Sequence, residues 1–121
     1  VTGRIYFIAT EALDAVKIGH MLGPVSERYR VLQTACPLEL KILVSTDGSV
    51  RDERDLHARF ADLRIRGEWF LRESGLQRLL AQLVGIDQAL FPGVLRLGEL
   101  GGCVDRKWFD QALADALGIP A

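Results

Sequence analysis

The chain is poor in the features that mark several protein classes. No apolar stretch approaches the roughly 20 residues that cross a bilayer, and no signal-peptide pattern opens the sequence. A membrane partner is therefore not expected, and the cytoplasm is the expected location. Only two cysteines occur, Cys36 and Cys103. Their spacing excludes a paired-cysteine metal knuckle and fits a reducing compartment, although a single disulfide between them stays open. There is no excess of positive charge: 15 Lys and Arg face 16 Asp and Glu, for a formal charge of −1. That balance sets the chain apart from strongly basic nucleic-acid binders and, on bulk charge alone, weighs against DNA. Internal repeats and low-complexity tracts are also missing, which argues against a solenoid or a disordered linker.

What is present reads as one domain with a small appendage. A chain of 121 residues is long enough to bury a core without staples. It opens on Val1 rather than methionine, which leaves room for a fused or partner domain; as an isolated chain, a monomer is favoured. "RIYFIA" (4–9) and "AVKIGH" (15–20) flank a compact polar connection and predict an antiparallel hairpin. "VSERYRVLQ" predicts a short helix, stopped at Cys36-Pro37 because a residue before proline avoids the helical region. A third strand is expected over 38–46, a long helix over 50–64, a short extended piece over 67–71 and a helix over 74–85 with Ser74 as N-cap. After Gly85 the glycine-punctuated "FPGVLRLGELGG" leads to an amphipathic helix over 105–118, closed by Gly118. The order predicts an α+β fold: a small antiparallel or mixed sheet of about three strands, flanked by helices. Residues 1–84 form the main unit, and 85–121 a C-terminal extension that is either docked or a linker.

The direction of Glu53 is the informative local feature. With Glu53 at 0° on a helical wheel, Leu56, Phe60 and Leu63 fall at about −60°, −20° and −80°, and His57 at about +40°. Arg51, Arg54, Asp55, Arg59 and Asp62 lie about 100° or more away. Glu53 is thus an acid aimed at the body of the protein, and an unpaired buried carboxylate costs several kcal/mol. It needs a cation, a metal or a set of donors. Arg28 lies on the inward edge of its own helix. In the hairpin, alternation puts Ile5, Phe7, Val16 and Ile18 on aliphatic faces and Tyr6 and Lys17 on the other side. Each of these residues alone has a bland structural reading, Arg28 and Glu53 as an ion pair among them.

Taken together, the ordered set resembles the GIY-YIG nuclease superfamily, and within it the phage and bacterial branch with a "KIG" second motif. The first motif stands here as Arg4-Ile5-Tyr6 and the second as Lys17-Ile18-Gly19. "RYRVLQT" and "CPLEL" follow, then "E-x-x-L-H-x-x-F" at Glu53, Leu56, His57 and Phe60, and "GEWF" at Gly67 to Phe70. The resemblance spans about residues 3 to 80 and implies DNA phosphodiester cleavage with one divalent metal ion, Mg2+ or Mn2+. It implies Glu53 as metal ligand and Tyr6 as general base or water-orienting group. Arg28 would neutralise the phosphoryl oxygens, Lys17 would add positive charge beside Tyr6, and His57 would orient a water or contact the phosphate. His20 is a weaker candidate. Arg51, Arg54, Arg64 and Arg66 are candidates for contacting DNA, while Trp69 and Phe70 read as core.

Two departures frame the alternatives. Arg4 stands where the first motif has glycine, and the chain contains no asparagine, the residue that helps hold the site late in other branches. A catalytically degenerate module that binds DNA or protein is the second reading. An assembly domain working through the apolar face of 105–118 (Trp108, Phe109, Ala112, Leu113, Ala116, Leu117) is the third.

Overall fold

A computed structural model describes residues 3–10, 14–23, 25–84 and 102–119, except the side chains at 26, 84, 102 and 103. Its elements are β1 (Gly3–Ala9), β2 (Ala15–Leu22), α1 (Val25–Thr34), β3 (Lys41–Asp47), α2 (Val50–Arg59), a 3-10 turn (Ala61–Leu63), β4 (Arg64–Arg66), β5 (Trp69–Leu71), α3 (Ser74–Val84), β6 (Gly102–Val104) and α4 (Arg106–Leu117). The fold is α+β, as expected, with helices flanking a largely antiparallel sheet.

Among the described residues that sheet has six strands, in the order β4-β5-β2-β1-β3-β6, rather than about three. The extra strands β4, β5 and β6 have three residues each, too short for a period-2 pattern to stand out. β1 and β2 form the expected hairpin, with Tyr6 opposite Gly19 and Ile8 opposite Lys17. β3 pairs antiparallel with the other edge of β1, and β6 adds to β3 in parallel. A bulge in the β1–β3 register leaves Leu43 without a partner opposite, and consecutive Leu43 and Val44 then both join the same core cluster.

Alternation along β1 and β2 sorts the residues onto two faces. Ile5, Phe7, Val16 and Ile18 pack with Leu56 and Phe60 of α2, Leu76, Leu79, Leu80 and Leu83 of α3, and Phe109, Ala112 and Ala116 of α4. The other face carries Tyr6, Ile8 and Leu40 under Val25, Tyr29 and Leu32 of α1. Tyr29 fixes α1 by donating its hydroxyl to the Leu40 carbonyl at 2.7 Å. Among the described residues no helix is long and apolar enough to cross a membrane.

Two helices end differently from expectation. α2 starts at a capping box in which Ser49 and Asp52 satisfy each other's backbone N–H, but it stops at Arg59 instead of running to 64. Phe60 leaves the helical region, and the backbone tightens into the 3-10 turn. Arg64 therefore lies on β4, not on the α2 face. In α3 the Glu73 carbonyl accepts the first backbone bond, from the Gln77 N–H, and Ser74 adopts φ 49°, so Ser74 is inside the first turn rather than its cap.

The chain beyond α3 returns to the body of the protein. α4 is capped by Asp105 at its start and closed by Gly118 at φ 69°, a left-handed conformation that suits glycine. Phe109 is buried against Phe7, whereas Trp108 is about half exposed (53%). Arg106 clamps the start of α4 to the start of α2: its two terminal nitrogens donate to the two Asp52 carboxylate oxygens at 2.9 and 3.0 Å. This bidentate pair holds the Asp52 carboxyl well below the usual carboxylate range and raises the Arg106 guanidinium. Most of the intervening segment, residues 85–101, lies outside the described residues.

Candidate active site

β5 covers the outer edge of β2 only at Ala15, Val16 and Lys17. At the next residue the edge is shared: the Ile18 N–H donates to the Glu68 carbonyl at 3.0 Å, and the Ile18 carbonyl bonds His57 Nε2 at 2.9 Å. One backbone unit thus anchors a residue of the β4–β5 turn and a residue of α2. A carbonyl accepts only, so His57 Nε2 carries the proton in this bond, and a neutral ring keeps its lone pair on Nδ1. Phe70 braces the imidazole with ring centroids 5.0 Å apart.

Glu53, one turn before His57, faces the same gap. Ligand-type atoms of Glu53, His57 and Glu68 all lie within 4.8 Å of one another, and all three residues are partly buried. Among the described residues Glu53 forms no ion pair with a lysine or arginine. Burial raises its carboxyl above the usual range and the nearby Glu68 charge adds to this, while His57, His20 and Lys17 pull it back. The arrangement concentrates negative charge in a place with limited water, which fits a bound cation. Oxygen and imidazole donors together suit a divalent metal.

On the α1 side, Lys17 Nζ lies 2.8 Å from Glu68 Oε1, linking the second motif to the carboxylate cluster. The Lys17 side chain is only 11% exposed, and its ammonium sits 6.0 Å from the Trp69 ring centroid. Arg28 is solvent-exposed, and its Nε donates to the Tyr6 hydroxyl at 3.4 Å, a long bond that is easily exchanged. Its pKa is raised, first by that bond and more weakly by the Glu68 charge. Tyr6 itself is fully buried, its ring lying over Gly19.

Lys17, Glu53 and His57 therefore gather around Glu68 and Ile18, while the Arg28–Tyr6 pair is coupled to them through the Glu68 charge that Arg28 feels. His20 borders it, close enough to influence the Glu53 carboxyl. Arg51, Arg54, Arg64 and Arg66 are exposed and stand outside the cluster, the first two on α2 and the others on edge strand β4. Arg64 donates to the Gly67 carbonyl at 2.7 Å and so braces the β4–β5 turn. Phe70 is core; Trp69 is half-buried and lines an apolar cleft of about 280 Å³ with Ile65 and Arg66. A larger groove of about 480 Å³ between α2 and α4 contains none of the cluster and is lined by Asp55, Arg59, Arg106 and Asp110, charges that pair with one another or with Asp52.

Glu68 is the residue that sequence reasoning missed. The motif "GEWF" is visible in the sequence, but only its aromatics have a reading there. The available signal was the acid itself, placed between a turn glycine and two apolar residues.

Residues 3–84 match the model of one family, described as the T5orf172 domain. No curated protein and no solved structure matches the chain.

Proposed function

This chain belongs to the T5orf172 domain family, a nuclease-related family, and on that premise we propose that it is an endonuclease hydrolysing DNA phosphodiester bonds with the GIY-YIG type of site. The observation that carries the reading is the gathering of Lys17, Glu53, His57 and Glu68 at the sheet edge beside Ile18, with the Arg28–Tyr6 pair within reach of the Glu68 charge. A single divalent ion, Mg2+ or Mn2+, held at Glu53 would supply Lewis-acid stabilisation of the departing oxygen.

The chain's own residues account for the remaining work. Arg28 would leave the Tyr6 hydroxyl for the phosphoryl oxygens, a better partner for its planar fork. That exchange uncovers the Tyr6 oxygen, which would align the attacking water or, once the phenol has released its own proton to solvent, take the water's proton as phenolate. Lys17 keeps positive charge beside the developing anion and holds Glu68 in place. Glu68 would also do the late positioning work that asparagine does elsewhere. Exposed Arg51, Arg54 and Arg66, with Arg64, would meet the DNA backbone despite the neutral overall charge.

One observation favours a second reading, a module that binds DNA or protein without cutting: Tyr6 has no exposed surface as it stands. Supercoiled plasmid incubated with the chain and Mg2+ or Mn2+ separates the two. Nicking that falls by at least about 10²-fold in Glu53→Ala is expected, since metal and charge stabilisation supply several kcal/mol of such barriers. Salt-sensitive binding without nicking would establish the second reading, and nicking undiminished in Glu53→Ala would reject the proposed site.

A further inference from the structure

We propose that Glu53, His57 and Glu68 together form a three-donor site, one imidazole nitrogen and two carboxylate oxygens, that takes Mn2+ in preference to Mg2+. The inference rests on the reading of one divalent ion at Glu53 and deepens it by naming the ligand set and the ion.

Geometry supports the ligand set. One ligand-type atom of each residue lies within 4.8 Å of one from each of the others. Bonds of about 2.0–2.2 Å to a common ion bring neighbouring ligand atoms to roughly 3 Å, so small side-chain movements close the site. Two of the three residues are already oriented by other bonds. His57 donates Nε2–H to the Ile18 carbonyl at 2.9 Å, which leaves Nδ1 as the acceptor. Lys17 holds Glu68 through Oε1 at 2.8 Å and leaves Oε2 unclaimed by that pair. Since the Ile18 N–H also fixes the Glu68 backbone, the second motif holds two of the three donors.

Donor chemistry supports the ion. Mg2+ prefers oxygen, demands near-ideal octahedral geometry and gives up its waters reluctantly. An imidazole nitrogen is a poor ligand for it and an ordinary one for first-row transition ions. Mn2+ accepts both carboxylate and imidazole.

The test uses the whole chain without DNA. MnCl2 is titrated into the protein while free Mn2+ is followed by electron paramagnetic resonance, and bound ion is then displaced with MgCl2. We expect one site that needs at least about tenfold more Mg2+ than Mn2+ for half displacement. Spin-echo modulation from a directly bound nitrogen is expected in the native protein. His57→Ala should lose that modulation and bring the two ions near parity, and Glu68→Gln should weaken Mn2+ by about 10–100-fold. Displacement by equal Mg2+, or native protein without nitrogen modulation, overturns the proposal whatever the variants do. Plasmid nicking is a separate readout: selective Mn2+ binding without nicking retains this site and rejects the nuclease reading, and Mg2+-supported nicking without the preference does the reverse.

Discussion

Tyr6 and Gly19 stand opposite each other across the β1–β2 pair, and the phenol ring lies where a side chain at 19 would begin. The glycine of the second motif is thus a space for the tyrosine of the first. A Cβ added at 19 would collide with the ring near its hydroxyl end, so the ring has to move or the strands have to part. Gly19→Ala is expected to cost about 1–3 kcal/mol by overpacking and to abolish nicking. Thermal melting and plasmid nicking on the same sample check this. A variant with native melting and native activity would show that the ring has space the geometry denies.

Tyr6→Phe isolates the hydroxyl from the ring. The ring is fully buried and the lost bond to Arg28 is long, so stability should change by no more than about 1 kcal/mol. Nicking should fall by about 10²–10⁴-fold if the hydroxyl handles the water's proton. Equal losses of stability and rate would instead make Tyr6 a packing residue.

Glu53 should be a liability to the metal-free protein. Its carboxyl pKa is raised by burial and by Glu68, so the charged form is disfavoured in the fold. For a carboxyl with a raised folded pKa, stability is lost as pH rises from the unfolded pKa through the folded one. Glu53→Gln should therefore raise the melting temperature of the metal-free chain at neutral pH and leave it unchanged near pH 3. The same variant should lose most of the stabilisation that added divalent ion gives the native chain. Calorimetry with and without ion reads both effects.

The Asp52–Arg106 clamp has the opposite sign. A carboxylate with a depressed pKa contributes stability that is present above its unfolded value, about 3.9, and is lost as pH falls toward the folded one. Both side chains are about a third exposed (31% and 37%), so the pair is screened and contributes about 1–2 kcal/mol as a bidentate bond. Arg106→Ala should lower stability by that amount at pH 7, and the difference should shrink steadily below pH 4. Urea unfolding across that range measures it.

Much of this was legible from residue order alone. Helical angles aimed Glu53 and His57 inward, and strand alternation put Tyr6 and Lys17 together; periodicity is local, and these residues sit on regular elements. Glu68 was not legible, because it lies at the end of a turn before a three-residue strand, where no period exists to aim it. The role of Ile18 was hidden for a different reason: it acts through its backbone, and a side-chain alphabet is silent about which edge of a strand remains open. The expected helix overruns the end of α2 at Arg59 because Phe60 and Leu63 keep helical spacing while packing around a 3-10 turn. The Asp52–Arg106 clamp joins residues 54 positions apart across a segment with no pattern linking them.

The exposed arginines give a test independent of chemistry. Arg51, Arg54 and Arg66 make no side-chain hydrogen bond or ion pair among the described residues. Where DNA contacts them, each substitution to alanine should reduce the slope of log affinity against log salt by about one and weaken binding to different sequences equally. Arg64→Ala should also loosen the β4–β5 turn through the lost bond to Gly67. A slope unchanged in all four variants would move the DNA to another face.

The most direct measurement is a crystal soaked in MnCl2 and recorded at the manganese absorption edge. The account predicts one anomalous peak bonded to Glu53, in the gap beside Ile18 and on the side of Tyr6 and Arg28. No peak there, with Glu53 turned onto a neighbouring guanidinium, would contradict it.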